Sequence, residues 1–442
     1  MRGLLVALVI GGGLFALALL GFSAKHALLI AVVAFLVTLW TNGALPLGVV
    51  SLLPVILFPA LGIMDAKAVV PNYSKTIIFL FLGGFMIAIA MEKIKLHKYF
   101  SAKLLSLFPR TATGIIYALA ITSATLSSLL SNTTITLMLM PIGLFLTQNT
   151  KLKVRFLIAI AYGASIGGII TPIGTPPNML LLGFLEDHSI IAPSFGKWMV
   201  MVFPVALAML LTIPWLLSRG IQHESVKEID SGIPPLTSKQ KRMLWILGSL
   251  AVLLLLNTKI EPYYHGLGLN EKLILLGYGL LMFMPKFGFL EWEDTREMPY
   301  EIVFLFGAGF TIAAAFIKTG LAADIAHKLS FISDMPLFWM LVAVALFVSF
   351  TTEVTSNTAL TSIALPIFYE FAKEMPGQDG LVLMMVATIA ASYAFMLPIA
   401  TPPNAIIMSS RVIRVSEMAK VGVVANFLGV FVVAVVAYLL WR

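Results

Sequence analysis

The chain carries one polar tripeptide, Ser-Asn-Thr, at two places where the surrounding sequence is apolar. The first copy begins at Ser131 in SNTTITLMLMPIG, and the second begins at Ser356 in SNTALTSIALPIF, in the other half of the chain. Hydroxyl and amide oxygens are ligands that hard cations prefer. Serine, threonine and asparagine also begin helices well, because their side-chain oxygens accept hydrogen bonds from free backbone N–H groups of the first turn. We predict that each tripeptide lies at the tip of a hairpin and caps the returning arm.

A second motif, Thr-Pro-Pro-Asn, is duplicated at almost the same distance along the chain. It lies in TPIGTPPN from Thr171 and in LPIATPPN from Leu397. Consecutive prolines remove backbone donors and push the residue before each of them away from helical geometry. The motif therefore predicts helix breaks near Gly174 and near Ala400. A broken helix exposes carbonyl oxygens that can bind a cation and helix N-termini that can face an anion.

The composition predicts the environment of these motifs. The 442 residues are 60% hydrophobic and only 11% charged, and the mean hydropathy is +0.99, whereas soluble domains carry roughly 25% charged residues. Apolar runs of about 20 residues, enough for a helix to cross a bilayer, recur along the chain. The predicted fold class is an all-α polytopic membrane protein. The chain has no cysteine, which excludes disulfides and thiolate chemistry, and no phosphate-binding loop, which argues against ATP-driven transport.

The apolar runs also predict the topology. Crossings are expected near 3–21, 27–41, 46–63, 76–91, 156–184, 199–218, 243–258, 270–285, 300–317, 381–409 and 421–441. Two longer apolar segments, 114–148 and 337–369, carry polar residues at their middles, and we interpret both as re-entrant hairpins. About eleven transmembrane helices then remain, and a cytoplasmic N-terminus places most of the 29 basic residues in cytoplasmic loops. The net charge of +8 is thus a signal of topology and not of nucleic-acid binding.

The duplicated motifs predict an inverted repeat. A third pair, FLFLGGFMIAIA from Phe79 and FLFGAGFTIAAA from Phe304, has the same spacing and order as the tripeptides. Five predicted crossings separate the first block from its copy, and an odd number gives the copies opposite orientations. Many secondary transporters are built in this way and bind substrate near the bilayer midplane. The predicted domains are a first transmembrane helix (1–26), a first repeat (27–218, with the hairpin 114–148 and the broken helix 156–184), a cytoplasmic linker (219–242) and a second repeat (243–442, with the hairpin 337–369 and the broken helix 381–409).

The charge pattern of these segments indicates what they bind. The hairpins and the broken helices contain no lysine or arginine. Four helix N-termini would each contribute roughly half a positive charge, which offsets an anion only in part. Bound Na⁺, held by hydroxyl, amide and carbonyl oxygens, supplies the missing charge most simply. The residues favour cation-coupled uptake of a small anion.

Other interpretations of the same residues stay open. Serine and threonine are common at helix contacts in membranes, and glycine and proline at packing and kink positions, although duplication of both motifs at one offset argues against packing alone. Glu353, the one ionisable residue in these segments, has Ser128 at the equivalent place in the first hairpin. It is either a proton-coupling group or a brace for the hairpin, and we favour the brace. A channel is a further alternative, and so is an intramembrane enzyme, which would need a second acid or a histidine that these segments lack.

These motifs resemble those of the divalent-anion:sodium symporter family, the bacterial and animal carriers of dicarboxylates, citrate and sulfate. The resemblance rests on the paired tripeptides, on GTPPN and ATPPN, and on the flanking ASIGG and FMLPIATPPNA, and it spans nearly the whole chain. It implies eleven transmembrane helices, two re-entrant hairpins and two broken helices. It also implies a homodimer in which a transport domain moves as an elevator against a scaffold domain.

The resemblance assigns roles to the motif residues. It implies a first sodium site at Ser127, Ser131, Asn132 and Gly174, and a second at Thr352, Ser356, Asn357 and Ala400. The substrate carboxylates would meet Asn132, Thr133, Asn357 and Thr358, with Thr175, Thr401 and Pro402 at the border of the site.

The function expected is a sodium-coupled importer of C4-dicarboxylates such as succinate, malate or fumarate. We expect it to be a multi-pass protein of the bacterial inner (plasma) membrane whose partners are a small dianion, sodium ions, lipid and a second copy of the chain. Two equivalent tripeptides suit a dicarboxylate, because each half can cradle one carboxylate. Sulfate or citrate as substrate stays open, as does dicarboxylate exchange or proton coupling in place of sodium symport.

Overall fold

In the computed structural model, the described part of the chain folds into helices. The structure describes residues 2–221, 235–258, 263–332, 335–373, 375 and 379–441. The α-helices are α1 (Arg2–Ala18), α2 (Ala24–Asn42), α3 (Leu47–Ala60), α4 (Ala66–Val69), α5 (Thr76–Lys93), α6 (Leu96–Leu105), α7 (Ala112–Ser127), α8 (Asn132–Phe145), α9 (Thr150–Ile170), α10 (Pro176–Asp187), α11 (Phe195–Ser218), α12 (Ser238–Asn257), α13 (Glu271–Leu281), α14 (Tyr300–Thr319), α15 (Leu321–Lys328), α16 (Leu337–Thr351), α17 (Asn357–Ala372), α18 (Asp379–Ala391), α19 (Pro402–Ser409) and α20 (Val415–Leu440). Three short 3₁₀ helices lie at Val70–Ser74, Trp292–Glu297 and Ser330–Ile332. The predicted all-α membrane fold class is confirmed.

Helices cover every apolar run of the sequence, with ends that shift by a few residues. Within the described ranges, six spans are long and apolar enough to cross a bilayer: Ala24–Asn42, Ala66–Lys93, Thr150–Ile170, Phe195–Ser218, Tyr300–Thr319 and Val415–Leu440. The hairpin arms are shorter, and so are α10, α18 and α19 with 12, 13 and 8 residues, whereas α9, the first half of the first broken helix, is itself one of the six spans. The predicted linker 219–242 lies mostly outside the described residues, and α12 already begins at Ser238 inside its predicted bounds.

The side chains form two apolar cores. The larger core joins α5 to α13 with α16 to α20. The smaller core joins α1, α2 and α3 with α15. Helix α14 belongs to both, because Phe306 and Phe310 face the larger core while Ile312 and Phe316 face the smaller one.

One series of helices occurs twice after α4, in the same order each time. A long helix, a short helix, two hairpin arms, a broken helix and a final long helix run from α5 to α11, and the same series runs from α14 to α20. The arms α7 and α8 meet at 128–131, and the arms α16 and α17 meet at 352–356. The arm α7 packs tightly on α9, since Gly163 and Gly167 lie against the carbonyl oxygens of Ala120 and Ala124, where an added Cβ would clash.

The two helix breaks differ in length. The first spans the five residues from 171 to 175, close to the predicted place at Gly174. The second spans ten residues, from Ser392 to Thr401, and so begins well before the predicted place at Ala400. The longer break persists because side chains from other helices satisfy its backbone groups, as described below.

Candidate substrate and cation site

A cavity of about 310 Å³ lies where both hairpin tips and both helix breaks come together. All the residues predicted to meet substrate line it: Asn132, Thr133, Thr175, Asn357, Thr358, Thr401 and Pro402. Six of the eight predicted cation ligands also line it: Ser131, Asn132, Gly174, Ser356, Asn357 and Ala400. The remaining two, Ser127 and Thr352, lie buried behind the lining residues. The cavity size is within the range of small-molecule sites.

Four helices begin at this cavity. The first residues of α8, α10, α17 and α19 are Asn132, Pro176, Asn357 and Pro402, and all four line it. Each N-terminus carries roughly half a positive charge, so together they offset at most about two negative charges. None of the lining residues is ionisable. The electrostatics favour an anion, but no side chain supplies a full counter-charge.

In the first half, the tip asparagine lies in a cluster of oxygens. Ser127 Oγ donates to Asn132 Oδ1 over 2.5 Å. A Cβ added at Gly168 would lie 3.1 Å from Asn132 Oδ1 and 3.3 Å from the carbonyl oxygen of Gly174. The glycine therefore leaves a space between the asparagine amide and the broken backbone. That space is bordered by hydroxyl, amide and carbonyl oxygens, the ligands of hard cations.

The second half repeats this arrangement. Thr352 Oγ1 lies 2.6 Å from Asn357 Oδ1 and 3.1 Å from the carbonyl oxygen of Ala391. The single hydroxyl proton is shared between these two acceptors or points to one of them. The three neutral oxygens form a cluster of the donor type that hard cations prefer.

The described part of the chain offers no cluster of charged ligands as an alternative cation site. Among its residues, no three His, Cys, Asp or Glu side chains lie together. A doubly charged cation commonly needs carboxylates. The neutral donor set fits Na⁺, with Ser127, Asn132 and Gly174 available in the first half and Thr352, Asn357 and Ala400 in the second.

The prediction that side-chain oxygens of the tripeptides cap the returning arms is wrong for the serines at the N-cap positions. Ser131 and Ser356 occupy the N-cap positions of α8 and α17, but neither side chain makes a capping hydrogen bond. Thr175 likewise makes none at α10, whereas Thr401 Oγ1 accepts from the backbone N–H of Asn404 at α19. Three of the four helices at the cavity therefore begin without a side-chain cap, which suits first-turn N–H groups that face an anion.

Two asparagines that the sequence did not single out hold the breaks together. Asn178 Nδ2 donates to the carbonyl oxygens of Gly168 and Thr171, over 3.2 Å and 2.9 Å. Asn404 Nδ2 makes the corresponding bonds to the carbonyl oxygens of Ala394 and Leu397, over 3.0 Å and 3.1 Å. The donors and both pairs of acceptors are related by the sequence offset of the Thr-Pro-Pro-Asn motif. The sequence signal for these two residues was the duplicated asparagine that ends the Thr-Pro-Pro-Asn motif.

The longer second break has a brace of its own. Glu353 Oε1 accepts from the backbone N–H of Met396 over 2.9 Å and from Asn426 Nδ2 over 2.7 Å, and Glu353 Oε2 accepts from the N–H of Leu397 over 2.8 Å. Tyr162, from the other half of the chain, donates its hydroxyl to the carbonyl oxygen of Phe395 over 2.5 Å. Glu353 does not line the cavity. The favoured interpretation of this residue as a brace agrees with these contacts.

The all-helical fold and the cavity between broken helices define a membrane transport protein. Solved transporter structures share the fold: Neisseria gonorrhoeae MtrF has a TM-score of 0.57 at 14% identity and covers 91% of this chain and 97% of its own. The Alcanivorax borkumensis YdaH transporter has a TM-score of 0.55 at 16% identity and covers 93% of this chain and 97% of its own. At such identities, the likeness shows the fold alone.

Sequence relatives define the family. Residues 32–390 match the citrate transporter family CitMHS. The sodium-dependent dicarboxylate transporter SdcS of Staphylococcus saprophyticus is 30% identical over 99% of this chain and 91% of its own length. SdcS of Staphylococcus aureus is 31% identical with the same coverage. The chain belongs to the CitMHS family, which is of the divalent-anion:sodium symporter type, so the resemblance seen in the motifs is confirmed. It is a multi-pass transport protein of the bacterial plasma membrane and not an enzyme.

Proposed function

We propose that the protein is a sodium-coupled symporter of C4-dicarboxylates. The observation that carries this proposal is the cavity itself, which is lined by both tripeptides and by no ionisable side chain. A dianion in such a place needs positive charge beyond that of the helix N-termini. The relatives at 30% and 31% identity are named sodium-dependent dicarboxylate transporters, which supports both the cation and the substrate class.

The residues of each half bind one end of the substrate. In the first half, the Asn132 amide and the Thr133 hydroxyl donate to one carboxylate, and in the second half Asn357 and Thr358 donate to the other. Bound sodium supplies the charge that the lining lacks. A monovalent carboxylate would leave one tripeptide without a partner, and unpaired polar groups in a binding site reject such a ligand strongly.

The two halves form an inverted repeat in this proposal. Nearly the same sequence offset relates the duplicated blocks and the hydrogen bonds made by Asn178 and Asn404. With an odd number of crossings between them, the halves present the same groups from opposite sides. The site can then open to either face of the membrane by similar movements.

The movement that we propose is an elevator motion within a homodimer. The C-terminal end of α10 is tied to α5 and α13 by ion pairs, Lys75 with Asp187 and Lys272 with Glu186. Surface ion pairs contribute only about 0–1 kcal/mol each. Such pairs can therefore break and re-form as a transport domain that includes α10 moves past a scaffold that includes α5 and α13.

Citrate is the second candidate substrate, because the matching family is described as citrate transporters. A third carboxylate would have to find a donor outside the two tripeptides. Proton coupling is less well supported. Glu353 does not line the cavity, and its three described partners all donate hydrogen bonds to it, which fits a fixed structural role.

Counterflow in proteoliposomes tests the proposal. Vesicles loaded with unlabelled succinate should accumulate labelled succinate when Na⁺ is present on both sides, and they should not do so when choline replaces Na⁺. A panel of unlabelled anions inside the vesicles ranks succinate, malate, fumarate, citrate and sulfate. Asn132→Ala should abolish counterflow, whereas Asn72→Ala, at a buried asparagine away from the cavity, should retain it. Counterflow that persists at full rate in choline would exclude sodium coupling.

A further inference from the structure

Two buried serine hydroxyls at the cavity have no hydrogen-bond partner. Ser165 lies in α9 and Ser392 directly follows α18. Both residues are 3% exposed and both line the cavity, yet neither Oγ atom contacts a donor or an acceptor. Burial of a hydroxyl without a partner costs free energy, so such a group in a binding cavity indicates a ligand.

The usual partner of a helical hydroxyl is available to Ser165 but is not used. Serine and threonine in helices commonly donate to the carbonyl oxygen four residues earlier. In this chain Thr136, Thr361 and Thr388 do so, over 2.7 to 2.8 Å. Ser165 makes no such bond to Ala161. Its hydroxyl is therefore free for a group in the cavity.

Each serine stands beside one of the two oxygen clusters. Ser165 precedes Gly168 by three residues, so both lie on one face of α9, and Gly168 faces the space between Asn132 and Gly174. Ser392 adjoins Ala391, whose carbonyl oxygen lies 3.1 Å from Thr352 Oγ1. Each serine can thus add a neutral oxygen to a cluster already made of such oxygens.

We propose that Ser165 and Ser392 are further cation ligands, one at each of the two sodium sites that the resemblance implies, and this inference rests on the proposed function. A hydroxyl oxygen is a hard, neutral donor of the kind that Na⁺ prefers. Its proton stays available for an acceptor in the cavity.

The two serines do not occupy equivalent places in the two halves. At the offset that relates Asn178 to Asn404, Ser165 corresponds to Ala391 and Ser392 corresponds to Ile166. The duplicated motifs therefore do not reveal them as a pair. Each half supplies its hydroxyl from a different position. Removal of one serine should therefore lower the affinity for one sodium ion and leave the other oxygen cluster intact.

The test measures sodium binding by the purified full-length protein without substrate. A ligand at free concentration c that binds only the folded state stabilises it by RT ln(1 + c/Kd), so the dependence of the unfolding temperature on ligand concentration gives Kd. NaCl replaces choline chloride at constant ionic strength, and the Na⁺ concentration of half-occupancy, here called the midpoint, is fitted from the rise of the unfolding temperature. Ser165→Ala and Ser392→Ala should each raise the midpoint of one of the two Na⁺ binding steps about tenfold, the effect expected when one ligand is lost, and leave the other step unchanged. Thr122→Val removes a buried hydroxyl that also has no partner but does not line the cavity, and it should leave the midpoint unchanged.

Two further variants keep the outcome of the experiment decisive. Ser165→Cys and Ser392→Cys preserve the packing but replace oxygen with soft sulfur, which hard cations avoid. They should shift the midpoint as the alanine variants do, and they decide the matter if an alanine variant does not fold. A wild-type midpoint in both serine variants would overturn this proposal. A wild-type protein that choline stabilises as well as Na⁺ would instead overturn the sodium coupling on which it rests.

Discussion

Replacement of Glu353 by glutamine tests whether this acid braces the second break or carries a proton. Three N–H donors meet its two oxygens, two of them at Oε1 and one at Oε2. A glutamine amide has one oxygen and one NH₂ group, so in either orientation an NH₂ group faces a donor. The better orientation keeps the oxygen at the Oε1 position and loses only the bond from Leu397.

The cost follows from that count. One buried donor without a partner costs about 1–3 kcal/mol, and the bonds to the remaining oxygen lose their charge assistance. Glu353→Gln should therefore lower the free energy of unfolding by about 1–3 kcal/mol. Glu353→Ala leaves all three donors unpaired and should cost roughly two to three times as much. The exposed Glu293, changed to glutamine, serves as the control and should have little effect.

Thermal unfolding and pH-dependent counterflow together separate the two roles. A brace predicts a lower unfolding temperature and slower counterflow, with the shape of the pH profile retained. A proton carrier predicts wild-type stability and a pH profile that becomes flat in the glutamine variant. The second outcome would refute our interpretation of Glu353.

Three other substitutions address the cavity and the breaks. Gly168→Ala places a methyl group between the Asn132 amide and the broken backbone, so sodium-dependent stabilisation should be lost. Gly277→Ala, where an added Cβ meets nothing within 4 Å, should leave it intact in the same unfolding assay. Tyr162→Phe removes the bond to the second break and should lower the free energy of unfolding by about 1–2 kcal/mol, measured by denaturant titration. Asn357→Ala should reduce succinate counterflow below detection while the protein remains a folded particle on size-exclusion chromatography; transport at half the wild-type rate would argue against its place in the site.

Much of the fold could be predicted because it depends on local patterns. Long apolar runs predict membrane helices, and paired prolines predict breaks at Gly174 and Ala400 from steric rules alone. The meeting of the two tripeptides was predicted from a repeat rather than from any contact. Duplication at one offset makes symmetric placement the simplest arrangement.

The remaining features depend on contacts that are distant in the sequence. The second break is twice as long as the first because Glu353, Asn426 and Tyr162 satisfy its backbone, and these residues come from three different parts of the chain. The absent serine caps could not be predicted either. N-cap propensity describes helices whose first turn has no other partner, whereas Ser131 and Ser356 begin helices at a cavity.

Equilibrium binding of labelled succinate to the purified protein tests the central claim most directly. Binding is measured in NaCl and in choline chloride at equal ionic strength, with Asn132→Ala as the inactive reference. If cations supply the charge that lets a dianion bind between the two tripeptides, the affinity must rise steeply with Na⁺, and succinate must raise the affinity for Na⁺ by the same factor. Equal affinity for succinate in the two salts would contradict the account.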